Sequence, residues 1–242
     1  MNKYKRVLLK LSGEALAGDD HQGFCTETLN DVARQIHEVA KLGIQIGIVV
    51  GAGNIWRGRM DSKMNRSIAD DMGMTATLIN ALALKDYISR AGTKAEVLSA
   101  VPMDKFAEYY TTRKANDLLN SGCVCIFACG TGNPYFTTDT AAVVRALEVK
   151  ADILLQAKNI DAVYDSDPAV NKNAKRYHRL NYDDVIKNNL KAMDLTASAL
   201  CRDNDLASFA FGLGKKDAIL RAASGENNGT YIKNGIDTEF YE

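Results

Sequence analysis

Short apolar runs alternate with amphipathic stretches along almost the whole chain, and this alternation limits the possible folds more than any other feature. "RVLLKL" and Ile44 to Val50, "IQIGIVV", are continuous apolar runs of the kind expected for strands buried on both faces. Between them Leu29, Val32, Ile36, Val39 and Ala40 repeat at helical spacing, with Thr26 as the expected N-cap and Gly43 just past the end. The pattern then continues through a helix from about Ile68 to Arg90, a strand "KAEVLSA", short helices "MDKFAEYY" and "RKANDLLNSG", and a strand "CVCIFAC". A helix "DTAAVVRALEVK", a strand "DILLQA", an extended "DAVYD" and a polar turn "SDPAVNKNAK" follow. Helices around "DDVIKN" and "DLTASALCRDN", an extended "ASFAFGL", a helix "KDAILRAAS" and a closing strand "GTYIK" complete the reading. Strands joined through helices require right-handed crossovers, so the expectation is an α/β fold with a mostly parallel sheet covered on both faces.

At 242 residues with only three prolines and no low-complexity linker, the chain reads as a single domain. A boundary near 140 to 150 would separate two lobes of one sheet. No apolar run reaches the roughly 18 residues a bilayer crossing needs, and the start lacks a signal-peptide layout, so a cytoplasmic protein is expected. Thirty basic and thirty acidic residues cancel, which gives no global field toward nucleic acid or anionic lipid. Cys123, Cys125 and Cys129 sit in an apolar run without histidine nearby and read as small buried hydrophobes, not as metal ligands. His21, His37 and His178 are scattered, and no protein-held metal is expected.

Ligands of such sheets bind beyond the carboxyl ends of the strands, and three of those junctions are unusual. In "LLKLSGEAL", Lys10 sits near the end of a strand and Ser12-Gly13 turns the chain; the lysine either snorkels to water or meets an anion. In "IVVGAGNIWRG", Trp56 stands where a dinucleotide fingerprint needs its third glycine, and no G-x4-G-K-[ST] occurs anywhere. What remains is a tight turn, or a glycine-rich turn that brings N–H groups to a phosphate with Arg57 close by. The third junction, "FACGTGNPYFTTDTAA", holds many hydroxyls, two aromatic rings and no Lys, Arg or His. Pro134 keeps Asn133 extended, and Thr137, Thr138 or Asp139 can cap the next helix. Two glycine turns, a strand-end lysine and an arginine suit phosphoryl transfer by positioning and cationic stabilisation, commonly with Mg²⁺.

"KLSGEAL", "GAGNIWRG", "ADDMGMTATLINALALKD", "GTGNPYFTTDTAA", "DAVYDSDP" and "AMDLTA" together resemble the bacterial uridylate (UMP) kinases of the amino-acid kinase superfamily, in order and over essentially the whole chain. The resemblance implies a three-layer α/β/α sandwich, with about 1–145 as the nucleoside-monophosphate lobe and about 146–242 as the ATP lobe. It implies transfer of the γ-phosphoryl group of ATP to UMP in pyrimidine nucleotide biosynthesis, with Mg²⁺ carried on the ATP phosphates, a homohexamer and possible control by a nucleotide effector. By position it assigns Lys10, Leu11, Ser12, Gly13, Gly53 and Arg57 to the ATP phosphates, and Asn159, Tyr164 and Asp167 to the adenosine. Ala52, Asp70 and the run Thr131, Gly132, Asn133, Pro134, Tyr135, Phe136, Thr137 and Thr138 are assigned to UMP, with Asp70 on the ribose. Asp139 and Asp194 are the acids expected to orient Lys10 and organise the reaction centre.

Gly51-Ala52-Gly53-Asn54 replaces the family's usual G-G-G-N, and Gly23-Phe24-Cys25-Thr26-Glu27 replaces the G-F-G-I-D of GTP-activated members. A kinase for another small acceptor, or a nucleotide-binding oligomer without transfer, are the competing readings.

Overall fold

The computed structural model describes residues 3–20, 22–56, 63–226 and 228–241. Ten strands form one sheet in the order β10-β7-β9-β8-β6-β1-β2-β5-β3-β4. The five runs read as strands up to residue 158 become β1 (Arg6–Leu11), β2 (Gln45–Val50), β3 (Ala95–Ser99), β5 (Val124–Ala128) and β6 (Ile153–Lys158). All pair in parallel, β1 lying between β2 and β6. β8 (Ser208–Gly212) extends the parallel set beyond β6. β9 (Thr230–Lys233) is antiparallel to β8, and β10 (Glu239–Phe240) is antiparallel to β7 (Tyr177–Asn181). The sheet is therefore mixed but mostly parallel.

Helices α1 (Thr26–Lys41), α2 (Arg66–Arg90) and α7 (Ala218–Ala223) cover one face, where Leu29, Ile36, Leu84 and Ile219 pack with Val7, Leu9 and Leu11 of β1. Helices α3 (Thr112–Asn120), α4 (Thr138–Glu148), α5 (Tyr182–Lys187) and α6 (Leu195–Asp203) cover the other, where Leu119, Val143, Val185 and Ala197 pack with Leu8. Three α/β/α layers follow directly. The period of two along β1 puts Lys10 on the Leu8 side, facing α4 and α6. Among the described residues no helix is long and apolar enough to cross a membrane. Cys123, Cys125 and Cys129 are buried free thiols, and burial pushes Cys125 up to about 12.

Three local expectations are corrected. "MDKFAEYY" is not helical: a turn from Met103 to Phe106 leads into β4 (Glu108–Tyr109), because the edge of β3 offers backbone partners that an isolated helical turn lacks. Thr26 begins α1 but does not cap it; Cys25 holds that position without a side-chain bond. Finally, β9 does not close the chain, since β10 returns to the sheet edge.

Candidate active site

β1 connects through α1 to β2 on one side, whereas β5 connects through α4 to β6 on its other side. The strand order therefore reverses at β1, and a crevice opens beyond its carboxyl end, the usual place for a ligand in an open α/β sheet. Lys10 lies at that end. Its Nζ is 2.7 Å from Oδ1 of Asp139, and both side chains are largely shielded from solvent. Burial alone would raise the Asp139 carboxyl, but Lys10, Lys158 and the Asp194 amide outweigh it and hold Asp139 below the usual carboxylate range.

Asp139 is fixed by the start of α4. Thr137 caps the helix, its Oγ1 accepting from the amides of Asp139 at 3.1 Å and Thr140 at 3.4 Å. The same hydroxyl donates to Asp194, as does Thr140 Oγ1 at 3.2 Å. Asp194 in turn caps α6 by accepting from the Ala197 amide at 2.8 Å. The N-termini of α4 and α6 are thus laced together at one carboxylate, and both helix dipoles favour negative charge there. Asp194 sits beside Asp139, not on Lys10: it positions the cluster and leaves the ion pair to Asp139.

The two glycine turns meet next to this cluster. The Gly51 amide donates to the Leu11 carbonyl at 2.9 Å, and Gly13 packs so closely on it that a Cβ there would stand 2.6 Å from the Gly51 carbonyl oxygen. Only glycine fits such an approach. Beneath the turn lies a reciprocal amide pair that the sequence does not reveal. Asn80 Nδ2 donates to the Gly51 carbonyl at 2.6 Å and to Asn54 Oδ1 at 2.8 Å, while Asn54 Nδ2 donates to Asn80 Oδ1 at 3.0 Å and to the Gly23 carbonyl at 2.8 Å. Both asparagines are buried. Ala52 is not among the residues with positive φ, so its methyl group brings no backbone strain. Arg57 lies outside the described residues, as does His21.

A cavity of about 130 Å³ on the β2/β5 side is lined by Ala52, Asp70, Thr131, Asn133, Phe136, Thr137 and Thr138, which brings most of the residues expected for UMP into one place. Trp56 completes its wall, its indole N–H held by the Ala69 carbonyl at 2.9 Å. Asp70 Oδ2 accepts from the Tyr135 amide at 2.8 Å and from Arg66 Nε at 2.8 Å. Tyr135 has φ 71, a strained value for a bulky residue, and the Asp70 bond is what holds it. Gly132 and Pro134 shape the same loop without lining the cavity.

A second cavity, about 160 Å³, lies on the β6 side and is lined by Tyr164, Asp167, Pro168 and the segment Asn188 to Lys191. Asn159 is not among its lining residues. It faces a larger cleft with Glu14, Asp31 and Lys215, so the three residues expected for adenosine do not share one cavity. The sequence reading also missed Lys158, the last residue of β6. Its Nζ donates to the Lys191 carbonyl at 3.3 Å and to the Ala192 carbonyl. The signal was available, because β6 ends on a lysine just as β1 carries Lys10 one residue before its end.

The arrangement holds the parts that phosphoryl transfer calls for: a lysine oriented by a carboxylate, two backbone turns and a cavity on either side. The model of the amino acid kinase family matches residues 5–209, and the chain belongs to that family. Within it, the chain is similar to a UMP kinase from Bacillus anthracis, with 37% identity, a TM-score of 0.94 and 99% of each chain covered. A UMP kinase from Ureaplasma parvum matches at 38% identity and a TM-score of 0.91, over 96% of this chain and 100% of that one. A uridylate kinase from Archaeoglobus fulgidus is more distant, at 28% identity and a TM-score of 0.71 over 96% and 100%.

Proposed function

We infer that the protein is a UMP kinase: a phosphate oxygen of UMP attacks the γ-phosphorus of ATP, the bond from that phosphorus to the β–γ bridging oxygen breaks, and ADP leaves as UDP forms. ATP⁴⁻ and UMP²⁻ give ADP³⁻ and UDP³⁻, so charge balances without a proton. The observation that carries the reading is the Lys10–Asp139 pair at the crevice between two cavities, in a chain that matches UMP kinases end to end.

The residues fit the parts that the chemistry requires. UMP occupies the cavity of Ala52, Asp70 and Thr131 to Thr138, with Asp70 accepting from the ribose hydroxyls and Asn133 and Thr131 matching the uracil edge. ATP lies on the β6 side, with Tyr164 and Asp167 at the adenosine and Leu11, Ser12, Gly13, Gly53 and Arg57 toward the phosphates. Lys10, aimed by Asp139, follows the moving phosphoryl group. Among the described residues no cluster of three or more His, Cys, Asp or Glu could hold a metal ion, and a centre with two acids fits Mg²⁺ that arrives on the ATP phosphates. When bound there the ion neutralises phosphate charge.

The acceptor cavity draws on residues before 139 and the other on residues after 159, which supports an acceptor lobe and an ATP lobe meeting where β6 joins β1. Ile68, Met72 and Ile79 form an exposed apolar stripe on α2, which supports the homohexamer reading. A cytoplasmic enzyme supplying UDP for pyrimidine nucleotides, open to a nucleotide effector, is the matching proposal for its setting. Turnover of UMP, CMP, dUMP and AMP with ATP and Mg²⁺ tests the function. UDP formation should dominate, and a wide preference for another acceptor would overturn it.

A further inference from the structure

We propose that Lys158 is a second cation of the phosphoryl-transfer site, held in this structure by two main-chain carbonyls and turned toward the ATP phosphates when the nucleotide binds. The inference rests on the kinase reading and names a residue which that reading does not use. Its ground is register. Lys10 pairs with Gln156 across β1 and β6, and Lys158 lies two residues further along β6, so both lysines project from the same face of the sheet at its carboxyl edge.

The charges near Lys158 do not balance. Asp139, from the start of α4, attracts it, but that carboxylate is already paired with Lys10 of β1 at 2.7 Å. Asp194 directs its oxygens to Thr137, Thr140 and the Ala197 amide. The segment before α6 offers Lys158 only the carbonyls of Lys191 and Ala192, which carry no formal charge. Two ammonium groups therefore share one carboxylate in a largely shielded crevice, an arrangement that an arriving polyanion relieves. Desolvation, reinforced by Lys10 and opposed by Asp139, pushes Lys158 down to about 8. Its carbonyl partners also matter for position: Lys191 lines the cavity assigned to the nucleotide, so the ammonium stands at that cavity's edge.

Proton linkage gives the test. A lysine titrating near 8 is about half protonated at that pH, and a bound polyphosphate raises its pKa, so ATP binding at pH 8 should draw up to about half a proton from solvent. Phosphate itself ionises near 6 and contributes little there. Calorimetric titration of the full chain with Mg²⁺-ATP, in buffers of differing ionisation enthalpy, reads that uptake directly.

In Lys158→Met the uptake should vanish, with ATP binding weakened about tenfold or more and the KM for UMP within about twofold. Lys158→Arg keeps the charge but does not titrate, so it should bind ATP within a few-fold of wild type without uptake. Unchanged ATP affinity and uptake in Lys158→Met would overturn the proposal. So would undiminished uptake in Lys158→Arg, or equal losses for ATP and UMP in both variants, which would make the lysine only a strut for the 188–192 segment. Uptake on ATP binding by a wild-type protein that forms no UDP would refute the kinase reading and leave Lys158 in place.

Discussion

Replacing Asn80 with alanine removes a buried amide that donates to Gly51 at 2.6 Å and exchanges bonds with Asn54 at 2.8 and 3.0 Å. The Gly51 carbonyl and Asn54 Oδ1 lose their Asn80 donor inside the protein, while Asn54 Nδ2 keeps the Gly23 carbonyl. Each buried polar group left without a partner costs about 1–3 kcal/mol, so Asn80→Ala should destabilise the fold by about 2–5 kcal/mol. Asn54→Ala should cost a similar amount, because it also strips the Gly23 carbonyl of its 2.8 Å donor. The double variant leaves no orphaned amide behind. It should therefore cost less than the sum of the two, by about 1–3 kcal/mol. Urea unfolding of the four proteins, with m checked for constancy, measures the cycle. Losses that add within about 0.5 kcal/mol would show that the pair does not act as a unit. Since Asn80 anchors the turn proposed to face the ATP phosphates, the KM for ATP should rise in the single variants.

Lys10→Ala should lower kcat by roughly two or more orders of magnitude with little change in melting temperature, and near-normal turnover would remove Lys10 from the reaction. Asp70→Asn should chiefly raise the KM for UMP, because the carboxylate that would read the ribose also holds the Tyr135 amide; an effect confined to ATP would place Asp70 on the wrong substrate. Asp139 titrates below the ordinary carboxylate range in the folded chain, so its stabilisation is present above the unfolded value of about 4 and is lost as pH falls through the folded one. Asp139→Asn should flatten that part of the acid-unfolding profile, and an unchanged profile would contradict the ion pair.

Elements buried on both faces were legible because apolar residues dominate them. β2 and β5 read as apolar runs, β1 and β6 as apolar runs broken only by Lys10 and Gln156 toward their carboxyl ends, and their helices as amphipathic stretches between them. β7 escaped notice because Tyr177 and Leu180 are its buried residues, with His178 and Arg179 between them, which matches neither alternation nor a continuous run. Asn80 was hidden for a related reason: in the apolar stretch around it Ile79 is exposed while Asn80 faces inward, so residue type does not show which side of α2 is buried. The glycine turns and the hydroxyl-rich loop announced themselves locally. Their meeting did not, since the contact of Lys10 with Asp139 depends on α4 crossing over β1 to reach β6, a matter of topology. Lys158 was missed by one residue at the end of a strand that was otherwise correctly placed.

Transfer itself is the central claim, and ATP labelled in its γ-phosphoryl group tests it most directly. Incubated with UMP and Mg²⁺, the wild-type protein should move the label into the β position of UDP, and Lys10→Ala should leave it on ATP. Label that appears only as free phosphate, or that reaches UDP equally well in both proteins, would contradict a Lys10-centred UMP kinase.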